Sequence, residues 1–589
     1  MFNENSEQRT VSIEMSKETI RSLKERIRAA RGEIPADLVL KGGRVANVFS
    51  GELLEADVAV HGSFIVGVGA QYRGLEEVDL AGACVCPGLI DGHIHVESSM
   101  LLPSRLAPPL LLCGTTAVVA DPHEIANVMG MEGIRLMLED SRDIPLDVFF
   151  TAPSCVPATN LETSGATLDA RALEDLLKEE RVVGLGEMMN FPGVLSGEDE
   201  VLRKLAAFAH KPLDGHAPGL RGKDLQAYVC AGIVSDHESI EEAEALEKMQ
   251  SGMMIMIREG STARNLEALL PLVTPANAGR FCFVSDDLHP EDLRRRGHLD
   301  HILRKAVLQG LDPVRAIRMV SLNPAEYFGL RKRGAVAAGY RADLAVFKDL
   351  AEFKVDRVYK NGRLVAEGGR LRRSLFQRRT LELRRPLLIP PLHPDRFRIR
   401  RKGEEARVIE VVPGQIVTKV CRERVSSRGG WVVSDPAKDI LKLAVVERHR
   451  GSGRIGLGLV KGFGLQRGAL ASSVAHDSHN VIAVGVNDED LCRAVEAVRD
   501  MGGGMAVARA GETLARVPLE VGGLMCHVSL EELSYGIANL SRASATLGCS
   551  MEEPFMALSF LALPVIPELK LTDRGLVDVI KFEIVPLFY

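Results

Sequence analysis

The sequence predicts an α/β protein built on a (β/α)8 TIM-type barrel, with a small β-sandwich assembled from both flanks and an additional C-terminal α/β domain. Three observations predict it. Between residues 85 and 334, strand-like and helix-like runs alternate, the pattern of parallel β/α units. Two blocks of short strands and glycine turns, 36–84 and 335–370, bracket that stretch, which points to one small domain drawn from both sides of it. Finally, 589 residues are too many for a single core, and the remaining 397–589 suffice for a further domain.

Taken in order, residues 1–35 are polar and end in a helical pattern, Lys17 to Ala30, which predicts an N-terminal helical arm with its basic residues exposed. From Ala36 the period changes to that of strands, and His61 falls in a turn. Candidate barrel strands are Val85 to His95, Thr115 to Ala120, Asp147 to Thr151, Val182 to Glu187, Pro212 to His216, Ile233 to His237, Met253 to Ile257 and Phe281 to Asp286. Helical stretches such as Ala170 to Glu180, Ile240 to Met249 and Ala263 to Leu272 fall between them. Eight repeats over about 240 residues match the size of such a barrel. In the second β block, Asn361-Gly362 is a hairpin signal. An arginine-rich stretch ending at Pro390-Pro391 reads as a solvated basic linker over 371–396. Strands are expected beyond it at Arg407 to Val412, Ile416 to Lys419 and Leu443 to Val446, with a long apolar run at Phe555 to Leu569.

Composition excludes several classes of function. Hydrophobic residues make up 46% and charged residues 26% of the chain, ordinary for a soluble globular protein. A net charge of -6 over this length gives no reason to expect nucleic acid or a membrane as partner. The N-terminus lacks a basic stretch followed by an apolar one, and no run of about 18 apolar residues occurs, so neither a signal peptide nor a span is expected. The ten cysteines are scattered, Cys113, Cys230 and Cys282 in apolar runs, and read as buried reduced thiols of a cytoplasmic protein. Cys84 and Cys86 would share one strand face with no second pair to complete a metal site.

The most informative chemistry lies in residues 86–100, Cys-Pro-Gly-Leu-Ile-Asp-Gly-His-Ile-His-Val-Glu-Ser-Ser-Met. His93 and His95 are two apart, so on a strand both imidazoles project from one face and can grip one cation. Four more groups sit at the ends of later candidate strands: Glu187, His216, His237 and Asp286. In a barrel those termini open on one face, so residues spread over nearly 200 positions converge. Taken singly, each has a plainer explanation, a helix cap for an acid or a satisfied carbonyl for a histidine. As a set, four imidazoles and two carboxylates suit two divalent cations of the manganese, iron or zinc type.

The Pro87-Gly-Leu-Ile-Asp-Gly-His-Ile-His95 stretch resembles the first-strand signature of the amidohydrolase superfamily, whose members hold one or two divalent metals in a (β/α)8 barrel. That resemblance implies His93, His95, His216, His237 and Asp286 as ligands, with Glu187 in the bridging place that a carbamylated lysine fills in many relatives. The words Val96-Glu-Ser-Ser-Met100, Asp121-Pro-His-Glu-Ile-Ala-Asn127, Gly186-Glu-Met-Met-Asn190, Ser235-Asp-His-Glu-Ser239, Ala471-Ser-Ser-Val-Ala-His-Asp-Ser-His-Asn480 and Ile566-Pro-Glu-Leu-Lys-Leu-Thr-Asp573 resemble the bacterial and archaeal adenine deaminases over nearly the whole chain.

This likeness implies hydrolytic deamination of adenine to hypoxanthine and ammonia, a purine-salvage reaction. A metal pair lowers the pKa of water from about 15.7 toward about 7, and Asp286 is placed to take its proton and pass it on. Ring N1 needs an acid, for which Glu187, Glu97 and Glu238 are the candidates. Ser98, Asp121, His123 and Glu124 are candidate substrate-binding residues; the last three follow the second strand, where they bind substrate, hold an additional cation or merely begin a helix. His476 and His479 belong to a loop over the barrel mouth, to local structure or to a subunit contact; Arg448 and His449 have the same status. The expected setting is a cytoplasmic homo-oligomer. Two alternatives remain: a cyclic-amide hydrolase of the dihydroorotase or hydantoinase kind, in which lysine usually stands where this chain has Glu187, and a non-catalytic scaffold of the same fold.

Overall fold

The structure is a computed structural model that describes residues 19–372, 387–413 and 415–589. Residues 19–30 are helical, and the buried Ala29 packs on Ala36, Val39, Ala59 and Val66 of the following β block. The part of the arm before residue 19 and the arginines between 373 and 386 lie outside the described residues.

The two flanks do interleave. One sheet runs, strand by strand, through Arg370–Leu371, Arg363–Glu367, Val355–Lys360, Leu344–Phe347, Cys84–Pro87, Arg44–Asn47 and Glu52–Glu55. It faces a four-stranded sheet from the N-terminal flank alone, and Leu38, Val58, Val60, Val85, Leu344 and Val346 fill the space between. Asn361 and Gly362 form the hairpin with φ of 50° and 76°, the left-handed pair that a two-residue turn requires.

Parallel strands follow. Leu89–His95, Thr115–Ala120, Asp147–Ala152, Val182–Met188 and Leu213–Gly215 pair in sequence order. Ser235–Asp236, Met254–Arg258 and Phe281–Val284 form a second parallel group. Two links join the groups. Val234 N–H donates to the Leu213 carbonyl at 3.1 Å, and Asp286–Asp287, continuing from Phe281–Val284, pairs with Ile94 and His95 of the first strand. Amphipathic helices such as Asp199–Ala207 and Leu299–Leu308 alternate with the strands and bury their apolar side against them.

The expected strand Val85 to His95 is in fact two. Cys84–Pro87 pairs antiparallel with Leu344–Phe347 in the sandwich, while Leu89–His95 enters the parallel sheet. The division falls at Gly88, where a Cβ would lie 2.2 Å from Thr116 Oγ1, so only glycine lets the chain cross between the sheets this closely. An unbroken apolar run hides the change of partner.

The C-terminal domain differs from the expected α/β arrangement. Its eight-stranded sheet, from Thr418–Arg424 at one edge to Glu512–Pro518 at the other, has one parallel pair, Glu405–Val411 with Ile455–Lys461, and antiparallel neighbours otherwise. Short loops join strand to strand, which an antiparallel sheet permits and a parallel one does not. The helix Asp488–Asp500 covers one face. Residues 387–392 are not a free linker, because Leu387 and Ile389 are buried in this domain and Leu388 N–H bonds the Arg448 carbonyl. The domain docks on loops of the parallel strands: Asp573 accepts from Thr163 N–H and Oγ1 at 2.8 and 2.7 Å, and Asn480 donates to the Thr163 carbonyl at 2.9 Å. Most cysteines are buried as expected, but Cys230 is exposed at the end of its helix and Cys113 and Cys421 are half-buried.

Candidate metal centre

Alternation along Leu89–His95 sends His93 and His95 to the same side, with their Nε2 atoms 3.2 Å apart. Asp91, on that strand and face, points away into the barrel floor, where it accepts from Ser285 Oγ at 2.6 Å and lies 2.8 Å from His298 Nε2. The strand is thereby tied to the segment that carries Asp286.

Glu187 lies between the imidazoles. Its Oε1 is 3.4 Å from His95 Nε2, and its Oε2 is 2.6 Å from His216 Nδ1 and 3.2 Å from His237 Nε2. Asp286 Oδ1 completes the ring of groups, 3.5 and 3.2 Å from the Nε2 atoms of His93 and His95. All six residues predicted as metal ligands therefore meet in one place. The ligating atoms of His93, His95 and Glu187, of Glu187, His216 and His237, and of His93, His237 and Asp286 each lie within 4.8 Å of one another. Asp286 has φ of 58°, an unusual backbone for a residue with a side chain, held by its pairing to Ile94 and by Arg258.

The charge balance tests whether this donor set fits a cation. Burial opposes ionisation of Glu187, yet His216 and His237 hold its carboxyl well below the usual range. Burial likewise opposes charge on His95, but Asp286 and Glu187 push its pKa well above the ordinary imidazole value. The carboxylates thus draw protons onto buried rings, which marks a site that demands positive charge. Divalent cations supply that charge and displace the protons. Orientation agrees: His95 Nδ1 is 3.2 Å from the Asp121 carbonyl oxygen, so Nδ1 carries a hydrogen there and Nε2 can turn its lone pair inward.

His95, Glu187, His216, His237 and Asp286 form the floor of a cleft. Glu238 and Arg258 stand on its wall; Arg258 grips Glu238 through both guanidinium nitrogens and reaches Asp286 Oδ2 at 3.0 Å. Sequence reasoning missed Arg258. The only signal was a charged residue directly after the apolar run Met-Met-Ile-Met-Ile. Opposite the floor, the C-terminal domain contributes Ile416, His476, Asp477, Phe560, Leu563 and Ile566, which settles the position of the 475–480 loop over the mouth.

The remaining candidates divide. His123 and Glu124 line the cleft. Asp121 instead stands behind Glu187, accepting its N–H at 3.0 Å, and Ser98 donates to Asp287 at 2.5 Å in an adjoining recess. Glu97 is not on the cleft wall: the turn Val96–Ser99 carries it aside, where it accepts Ile125 N–H, and burial with Glu124 nearby pushes its pKa to about 7. Glu124, His476 and His479 also cluster, but Ala475 N–H donates to His479 Nδ1 at 3.1 Å, so His479 Nε2 carries the hydrogen and offers no lone pair. That arrangement argues against an additional cation there. Tyr327 supports the floor, its hydroxyl donating to Asp214 at 2.7 Å.

Comparison with known proteins agrees with this architecture. Residues 84–365 match the amidohydrolase family and residues 415–583 match the adenine deaminase C-terminal domain. The adenine deaminase of Desulfatibacillum aliphaticivorans is 51% identical over 575 residues, covering 95% of this chain and 99% of that protein. Adenine deaminase 2 of Carboxydothermus hydrogenoformans is 47% identical, covering 96% of this chain and all of its own length. A crystal structure of an adenine deaminase aligns at 18% identity with a TM-score of 0.44, covering 57% of this chain and 99% of that one. With both segments matched and half of all positions identical to a full-length relative, this chain belongs to the adenine deaminase family of the metal-dependent amidohydrolases.

Proposed function

We propose that this chain hydrolyses adenine to hypoxanthine and ammonia on two divalent cations, held by His93, His95, Glu187 and Asp286 on one side and by Glu187, His216 and His237 on the other. The observation that carries the reading is the meeting of four imidazoles and two carboxylates, from the ends of five strands, five of the six lining one cleft. The scaffold is read as a closed (β/α)8 barrel, and the setting as a cytoplasmic homo-oligomer; no described helix is long and apolar enough to cross a membrane. When bound, such a pair supplies Lewis acidity that brings the pKa of water toward about 7. Manganese, iron and zinc all suit nitrogen and carboxylate donors.

The chain's own groups move the protons. Glu238 stands on the cleft wall as a carboxylate: burial opposes its charge, and the Arg258 guanidinium outweighs it. It takes one proton from the attacking water and gives it to ring N1 as the C6–O bond forms. Asp286 takes the second proton of that water and delivers it to the amino group, which leaves C6 as ammonia while the carbonyl of hypoxanthine forms. Glu97, away from the cleft, has no part in this scheme, and Glu187 would be committed to holding the cations. The test is Glu238→Gln in the metal-loaded enzyme: ammonia release should fall about 10²- to 10⁴-fold at unchanged metal content. Undiminished turnover would remove Glu238 from the mechanism. A cyclic-amide hydrolase or an inactive scaffold is disfavoured by the carboxylate at the fourth strand and by the intact donor set.

A further inference from the structure

His476 enters the cleft from the far domain, on the loop between the strands Ala469–Ser472 and Val481–Gly485. Two contacts fix its ring and a third fixes its backbone. Nδ1 is 2.7 Å from Glu124 Oε1, on the helix His123–Met129 that follows the second parallel strand. The imidazole stacks on Phe560 with centroids 4.5 Å apart and planes at 16°, and the His476 N–H bonds the Ser559 carbonyl at 3.2 Å. With Nδ1 committed to Glu124, Nε2 is the edge left to the cleft. Burial opposes charge on the ring, yet Glu124 first, then Asp287 and Asp477, push its pKa up to about 9. At neutral pH it is therefore a donor at both nitrogens.

Adenine, with C6 and N1 turned to the metal floor, keeps acceptor lone pairs at N3 and N7. We propose that His476 is a substrate-binding residue supplied by the C-terminal domain, its Nε2–H donating to N3 or N7 of the purine while Glu124 holds the ring in place. A cationic donor on the purine also withdraws electron density from C6 and favours addition of water there. The barrel alone would then be an incomplete site, with the second domain supplying the group that orients the base. This inference rests on the cleft being the adenine site, a reading that adenine turnover by the unmodified enzyme tests on its own.

The experiment compares the metal-loaded full chain with His476→Phe, which keeps an aromatic face against Phe560, and uses adenine, 3-deazaadenine and 7-deazaadenine as substrates or as competitive inhibitors. A lost hydrogen bond to a charged group should lower kcat/KM for adenine about 10- to 100-fold at unchanged metal content. The deaza compound that lacks the partner nitrogen should abolish the difference between the two enzymes, and the other should preserve it. A gap equal for all three compounds, or none for adenine, overturns the proposal. Should His476→Phe fail to fold, Glu124→Gln must show the same compound-selective gap at smaller size, and an equal gap across the three compounds again overturns it.

Discussion

Replacing Arg258 with methionine tests the proton route most directly. The guanidinium is 2.7 Å from Glu238 Oε2 and 3.0 Å from Asp286 Oδ2, with only 6% of its side chain exposed. For charge centres about 4 Å apart at an effective dielectric constant of about 20, its attraction for Glu238 is about 4 kcal/mol, or roughly three pKa units. The cations that His216 and His237 would hold remain in the variant and keep part of the depression, so the pKa of Glu238 is expected to rise by less than that full amount. The sign follows from the role assigned. Glu238 must be ionised to accept a proton from water, so activity is present above its pKa and lost as pH falls through it. A raised pKa therefore moves the acid limb of the kcat/KM profile to higher pH. Arg258→Lys keeps the charge and should leave that limb within about one unit of the wild type. Ammonia release measured from about pH 5 to 9, with metal content checked for each protein, reads the shift. An Arg258→Met enzyme with full metal content and an unmoved acid limb would refute the claim that Arg258 sets the charge state of the proton carrier.

Two other changes probe the frame around the centre. Asp121 accepts the Glu187 N–H at 3.0 Å, so Asp121→Asn should weaken metal retention about 10- to 100-fold against a chelator without abolishing folding; retention equal to wild type would deny it a supporting role. Gly88→Ala would bring Cβ to 2.2 Å from Thr116 Oγ1 and to 2.5 Å from its Cγ2, forcing apart the first and second parallel strands. A loss of about 1–3 kcal/mol is expected, read as faster heat inactivation, and an unchanged half-life would mean that the crossing tolerates a side chain.

How far the site was legible in the chain depends on the range of the interaction that builds it. His93 and His95 are two apart on one strand, so local alternation alone puts them together. Glu187, His216, His237 and Asp286 were legible because a parallel barrel sends the ends of successive strands to the same rim, which turns a one-dimensional pattern into a place. Glu97 shows where that logic fails. It stands two residues beyond His95, but a single turn at Val96–Ser99 rotates its carboxylate onto Ile125 and out of the cleft. Arg258 was hidden for the opposite reason: a charge after an apolar strand looks like any solvent-facing end, and its meaning lies in two acids that arrive from other strands. The crossing at Gly88 was hidden as well, since both halves of the run are apolar and extended, and only Thr116 explains the glycine.

The C-terminal loop marks the limit of strand-by-strand reading. His476 is more than 350 residues from Glu124 in the chain, and no periodicity connects them. What joins them is the docking of two domains, through Asp573 with Thr163 and through Asn480 with the carbonyl of Thr163. The docking contacts and the cleft contact occupy neighbouring positions, with Asn480 on the interface and His476 over the floor. Any shift of one domain against the other would therefore be felt at the Glu124 to His476 pair. Disturbing the interface, for example with Asp573→Ala, should reproduce at reduced size the compound-selective loss expected of His476→Phe, although Asp573 itself is not on the cleft wall.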